Sequence, residues 1–231
     1  MPLASLAKGY RAVVLGASGG IGSAIAGELR SDPNCLQLVT LSRRDNAFDI
    51  TDEETVAAGA AETGDGLHLV FCATGGLVVD GVGPEKSLKQ VDPDVMMRQF
   101  ALNAIGPALV LKHFAPKLAR SDRSIVAFLS ARVGSIGDNR LGGWISYRAS
   151  KAALNQIVRT ASVELSRTHP RAVVVALHPG TVATKMTASY STHHRKLDPS
   201  ESACAMLRVI DRLTPENTGG FFDYGGLPVE W

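Results

Sequence analysis

RAVVLGASGGIGSAIAGEL, from Arg11 to Leu29, decides the fold. It opens with a short apolar run, the pattern of a buried strand, and helix is expected from Gly22 to about Leu29. Between them stand Gly16, Gly20 and Gly22. Glycine lets the backbone turn sharply and come close to a ligand. Free N–H groups at the helix start would then face a pyrophosphate. The spacing is G-x3-G-x-G, which differs from the common G-x-G-x-x-G of dinucleotide sites. The same glycines would also serve a tight turn with no ligand.

Working outward, LQLVTLS (36–42) reads as a second strand and AFDI (47–50) as a short third. Thr51 and Glu54 make a capping box that opens a helix through about Ala61. LHLVFCA (67–73) is the next strand. Asp92 before Pro93 marks a helix start, with proline at the first helical position. That helix runs to about Leu118, and Gly106-Pro107 should kink it. SIVAFLS (124–130) is a strand. Tyr147–Leu165 is a helix, with Leu154, Ile157, Val158, Ala161 and Leu165 on one apolar stripe. AVVVALHPG (172–180) and GGFFDYG (219–225) close the series. Apolar strands alternating with helices imply a parallel sheet covered on both faces. The expectation is a single α/β doubly wound Rossmann-type domain over residues 1–231, with about seven strands.

Composition narrows the classes. With 231 residues, 45 % of them hydrophobic and 20 % charged, the chain can bury one substantial core. A net charge of +2 does not point to nucleic acid. No apolar run reaches the roughly 18 residues of a membrane span. MPLASLAKGYR lacks the features of a signal peptide. Cys35, Cys72 and Cys204 fit neither a disulfide framework nor a metal spacing, and a reducing cytoplasm is the simplest compartment.

Two groups of residues carry candidate chemistry. At the end of the second strand stand Ser42, Arg43 and Arg44, with no acid to hold two ribose hydroxyls. A guanidinium there suits a 2′-phosphate, hence NADP(H) over NAD(H), unless both arginines are simply solvated. Tyr147 and Lys151 are i and i+4 on a predicted helix and share a face. A nearby ammonium would favour the phenolate and fit the phenol for proton exchange with a carbonyl or alcohol oxygen. Alone, the pair would also fit an ordinary helix surface.

Taken together, the motifs resemble the short-chain dehydrogenase/reductase family over essentially the whole chain. Gly16, Gly20 and Gly22, with Ser18 and Ile21 between them, match its glycine pattern, and Tyr147 and Lys151 its Tyr-x-x-x-Lys pair. Asp49, followed by Ile50, matches the acid near adenine. Cys72-Ala73-Thr74-Gly75 stands where the family has NNAG, with both asparagines replaced. Asn103 matches the helix asparagine that holds a relay water. Pro179, Gly180, Val182 and Thr184 cover the family's PG…T. GSIGDN, GGW, SYRASKAALN and FFDYGG are most similar to C-factor-like and Sniffer-like carbonyl reductases. The resemblance implies an NADP(H)-dependent oxidoreductase acting on a small carbonyl or alcohol, as a homodimer or homotetramer. It also implies a second role for Lys151, in holding the nicotinamide ribose. Arg44 to Phe48 leaves no room for the family's usual helix, so the adenine side should be more open.

One family position departs. SS-x-x-G reads here as Ser130-Ala131-Arg132-Val133-Gly134, with Ala131 where the substrate-polarising serine is expected. Ser130 points to the opposite face if the strand stays regular, whereas Ser135 could reach in from the loop. Both could instead satisfy backbone at the turn. Ala131 also leaves open a dinucleotide-binding regulatory or signalling protein with vestigial catalysis. His193-His194 shows no third ligand and gives no metal site. Lys185 to Ser200 could form a substrate lid or a passive surface loop. Cys72 reads equally as a small apolar core residue.

Overall fold

The structure, a computed structural model, describes residues 3–187 and 195–231. Its sheet has the order β2-β1-β3-β4-β5-β6. The strands are Tyr10–Leu15 (β1), Cys35–Leu41 (β2), Leu69–Cys72 (β3), Ser124–Leu129 (β4), Ala172–His178 (β5) and Phe221–Asp223 (β6). Every pairing is parallel. Register places Val39, Val13, Val70, Val126 and Val174 in one row across five strands. The adjacent row runs Val14, Phe71, Ala127 and Val175 and faces the other way.

Each row needs its own cover. The valine row packs with Val56, Phe114, Leu154 and Val158 from helices α3 (Glu53–Thr63), α5 (Gly106–Phe114) and α6 (Ile145–Leu165). The other row packs with Ile25, Leu29, Met206 and Ile210 from α1 (Gly20–Arg30) and α7 (Pro199–Arg212). Burying a side chain such as Phe114 or Ile25 stabilises the fold by about 1.5–3 kcal/mol. This is the doubly wound α/β architecture that the alternating pattern implies.

Three local expectations are corrected. AFDI adds no strand. Instead α2 (Arg43–Asn46) ends at Ala47 in the left-handed region, φ 53°. Phe48 and Ile50 then plug the core edge, each 3 % exposed. Two buried residues two apart imitate a strand's alternation. The cap of α3 is Asp52, which accepts the Glu54 N–H, while Thr51 is held by Asp49. The long helix from Pro93 breaks just before the expected kink. It runs as α4 (Pro93–Phe100), a π-turn over Ala101–Ile105, and then α5. Pro107 has no N–H to give the Asn103 carbonyl and its ring crowds that group, so the turn ahead of it widens.

Candidate active site

The chain leaves β1 toward β2 and leaves β3 toward β4, so the C-terminal ends of β1 and β3 frame a crevice at the point where the strand order reverses. A cleft of about 180 Å³ lies there. Its walls include Gly16 and Ser18 after β1, Ser42 and Arg43 after β2, Asp49 and Ile50, and Ala73, Thr74 and Gly75 after β3. Gly19, Phe48 and Leu102 complete it.

Sterics require the glycines. Gly16 has φ 80°, and a Cβ on it would lie 3.0 Å from the Thr74 nitrogen. A Cβ on Gly22 would lie 2.3 Å from the Gly16 carbonyl oxygen, an impossible approach. Gly20 backs onto Thr184, with its Cβ position 3.0 Å from the threonine methyl. The N-cap of α1 is Gly19, which supplies no side-chain acceptor. The first N–H groups of α1, around Ile21, therefore lack helical or capping acceptors and suit a phosphate. The donor set fits a dinucleotide pyrophosphate.

The two arginines part ways. Arg44 turns outward and pairs with Asp45 at 2.8 Å, and Asp45 also accepts from the Ser42 hydroxyl. Arg43 lines the cleft. Burial alone would raise the Asp49 carboxyl. The N–H and hydroxyl of Thr51, with Arg43 nearby, outweigh that and hold it below the usual carboxylate range.

Behind Gly75 sits a buried polar cluster. A Cβ at Gly75 would lie 3.0 Å from Lys151 Nζ and 3.1 Å from Asn103 Oδ1. Asn103 accepts from the Gly76 N–H and donates to the Gly76 carbonyl, both at 2.9 Å. It also reaches Gln99 and Ser150. Lys151 donates to the Leu129 carbonyl at 2.9 Å, and its Nζ lies 6.0 Å from the Tyr147 ring centroid. Burial lowers the Lys151 ammonium to about 8, opposed by the neighbouring Cys72 thiol, whose own titration burial pushes up. Burial raises the Tyr147 phenol well above its ordinary value.

The serines are placed differently. Ser130 donates to Asn155 Oδ1 at 2.6 Å and is 4 % exposed. The Ser135 hydroxyl accepts from the Asp138 N–H at 3.1 Å and donates to no described residue, but it is buried too, at 2 % exposed. Ala131 precedes a short 3-10 turn, Arg132–Gly134. After β5, Pro179 accepts from Ser202, Gly180 has φ 79°, and Val182 bridges Leu197. The proposed lid segment thus has paired stems, but its last two residues belong to α7, which Asp198 caps. His193 and His194 lie outside the described residues.

Sequence reasoning missed Ser150, Asn155 and Glu85. Ser150 and Asn155 share the inner face of α6 with Tyr147 and Lys151, all buried. Polar residues at helical spacing within an apolar stripe were the available signal. Glu85 accepts from the Ser146 N–H at 3.2 Å and from its hydroxyl across 61 residues, and had no local signal.

A family profile described as enoyl-(acyl carrier protein) reductase matches residues 16–220. The chain is 36 % identical over 186 residues to 1-hydroxy-2-glutathionyl-2-methyl-3-butene dehydrogenase of Rhodococcus sp., covering 79 % of this chain and 78 % of that one. It is 43 % identical over 146 residues to the C-signal of Myxococcus xanthus, covering 63 % and 84 %. Its fold is similar to that of a carbonyl reductase from chicken fatty liver solved with NADPH bound. The TM-score is 0.83 and the identity 24 %, over 99 % of this chain and 97 % of that one. No helix among the described residues is long and apolar enough to cross a membrane.

Proposed function

The chain belongs to the short-chain dehydrogenase/reductase family, and from that premise we propose an NADP(H)-dependent carbonyl reductase or alcohol dehydrogenase with Tyr147 as general acid/base. The observation that carries this reading is the buried pair of Lys151 and Asn103 directly behind Gly75, a wall of the glycine-framed cleft, with the Tyr147 ring centroid 6.0 Å from Lys151 Nζ. The nicotinamide, when bound, supplies or accepts the hydride. The start of α1 holds the pyrophosphate. Arg43 takes the 2′-phosphate, because it faces the cleft and Arg44 does not. Asp49 and Ile50 lie on the adenine side. Gly75, Pro179, Gly180, Val182 and Thr184 flank the nicotinamide end.

Tyr147 keeps its proton at neutral pH, because burial raises its phenol. It is therefore set to protonate the substrate oxygen in carbonyl reduction, and alkaline conditions favour the reverse. Lys151 holds the nicotinamide ribose and bears on the Tyr147 proton through its charge. The Asn103 carbonyl, deprived of a Pro107 donor, holds the water that returns the proton from Lys151. Ser135, with its proton available, stands in for the serine missing at Ala131.

The test is purified protein with NADPH and a panel of aldehydes, ketones and quinones. Oxidation of the cofactor, lost in Tyr147→Phe, supports the reading. Arg43→Ala should erase most of the preference for NADPH over NADH, and an unchanged affinity ratio counts against Arg43. Ala131 favours a second reading, a dinucleotide-binding regulator without turnover. Tight NADPH binding with no oxidation across the panel would select it. We further propose a homodimer or homotetramer, built on an apolar groove of about 700 Å³ along α5 and α6. The cytoplasm suits the three unpaired cysteines.

A further inference from the structure

The start of α6 is strained. Gly142, Gly143 and Trp144 have φ of 63°, 66° and 54°, three successive left-handed residues, and the last is not glycine. Trp144 is the N-cap, yet its side chain makes no capping hydrogen bond. A bulky residue holds such a conformation only where its surroundings over-determine it, and outliers of this kind cluster at functional sites. Here the restraint comes from far away in sequence. The Glu85 carbonyl accepts the Trp144 N–H at 2.6 Å. The Glu85 carboxylate accepts the Ser146 N–H at 3.2 Å and the Ser146 hydroxyl. Glu85 is 5 % exposed, so this is a buried carboxylate acting as a remote cap for a helix start that has no cap of its own.

What the clamp holds is the next residue, Tyr147. The Trp144 ring meets the Tyr147 ring edge-on, with centroids 6.4 Å apart. Arg148 fixes the same turn from the other side, donating to the Gly142 and Gly143 carbonyls and to the Val133 carbonyl. Glu85 lies on the loop that begins at Gly75, a wall of the cofactor cleft. We infer that Glu85 is a positioning residue: it clamps the first turn of α6 so that the Tyr147 hydroxyl is held in register with the cleft. This rests on Tyr147 being the proton donor.

Steady-state kinetics of the full chain tests it. Misplacing a reacting group by about 1 Å can cost about 10²-fold. Glu85→Ala should therefore lower kcat by about 10–10²-fold while the NADPH Kd moves less than about two-fold. In a Tyr147→Phe background the same change should remove less than about two-fold further, because its effect runs through the phenol. Losses that add in full, a kcat equal to the parent's, or a loss confined to Kd would each overturn the inference. If Glu85→Ala does not fold, Glu85→Gln and Ser146→Ala carry the same test, since the first turns one accepting oxygen of the clamp into a donor and the second removes the hydroxyl, each at little change in volume. A parent-like rate in Tyr147→Phe alone would instead overturn the functional reading.

Discussion

Tyr147 and Lys151 are moved in opposite senses by one cause. Burial disfavours charge, so it raises the phenol and lowers the ammonium to about 8. Through the neutral range Tyr147 stays protonated while Lys151 begins to lose its proton. If the lysine's charge supports catalysis, kcat for reduction should be level below about pH 7 and fall as pH rises through about 8. A pH–rate profile that climbs without a break to pH ~10 would remove Lys151's charge from the mechanism. The serines divide by what their protons already do. Ser130 spends its proton on Asn155, so Ser130→Ala should lower stability by about 1–2 kcal/mol in urea titration and leave kcat nearly intact. Ser135 has its proton to spare, so Ser135→Ala should lower kcat by about 10²–10³-fold, as for a lost oxyanion donor. The opposite pattern would move the role to Ser130. Equal, small losses in both would leave a backbone N–H or water to hold the substrate oxygen.

The turn from β1 into α1 shows how one element serves fold and site together. Gly22 packs its Cα against the Gly16 carbonyl, where a methyl group would meet oxygen at 2.3 Å. Gly22→Ala must push α1 away from the turn. Overpacking of this kind costs about 1–3 kcal/mol, and the displaced N–H groups should weaken NADPH binding at least tenfold, read by fluorescence titration. Stability and affinity both unchanged would mean the loop adapts. The central strands β3, β4 and β5 were legible because they are nearly continuous apolar runs too short for a helix and bounded by turn residues. The α1 turn, Tyr147 and Lys151 were legible because their spacing is local. AFDI was misread because Phe48 and Ile50 alternate as strand residues do, and only tertiary contacts show that they plug an edge. Glu85 was illegible for a related reason. Its partner Ser146 is 61 residues away, and no periodicity or cap motif records a contact at that distance.

At the scale of the molecule, α6 is one long helix with two tasks. Its first half turns Tyr147, Ser150, Lys151 and Asn155 inward, toward the cluster behind the cleft. Its second half lines the groove with Ile157, Ala161 and Leu165, facing Ala108, Leu111 and Ala115 of the preceding helical segment. Lys112, Arg120 and Glu164 also border the groove, so small and apolar groups and both signs of charge share one surface. An apolar centre with a charged rim is the anatomy of an interface, and a two-fold pairing is the commonest closure. A stable dimer needs roughly 800 Å² buried on each partner, which two helices lying along one another can supply. Light scattering on the purified chain should therefore give twice the monomer mass or a multiple of it. Ala161→Arg places a long charged group mid-groove and should yield a folded monomer, with an unchanged circular dichroism spectrum. Because α6, proposed to seal the interface, also carries Tyr147, the monomer should show a lower kcat than the parent. A parent that runs at monomer mass would refute the assembly, and a fully active Ala161→Arg monomer would show that the two halves of α6 work independently.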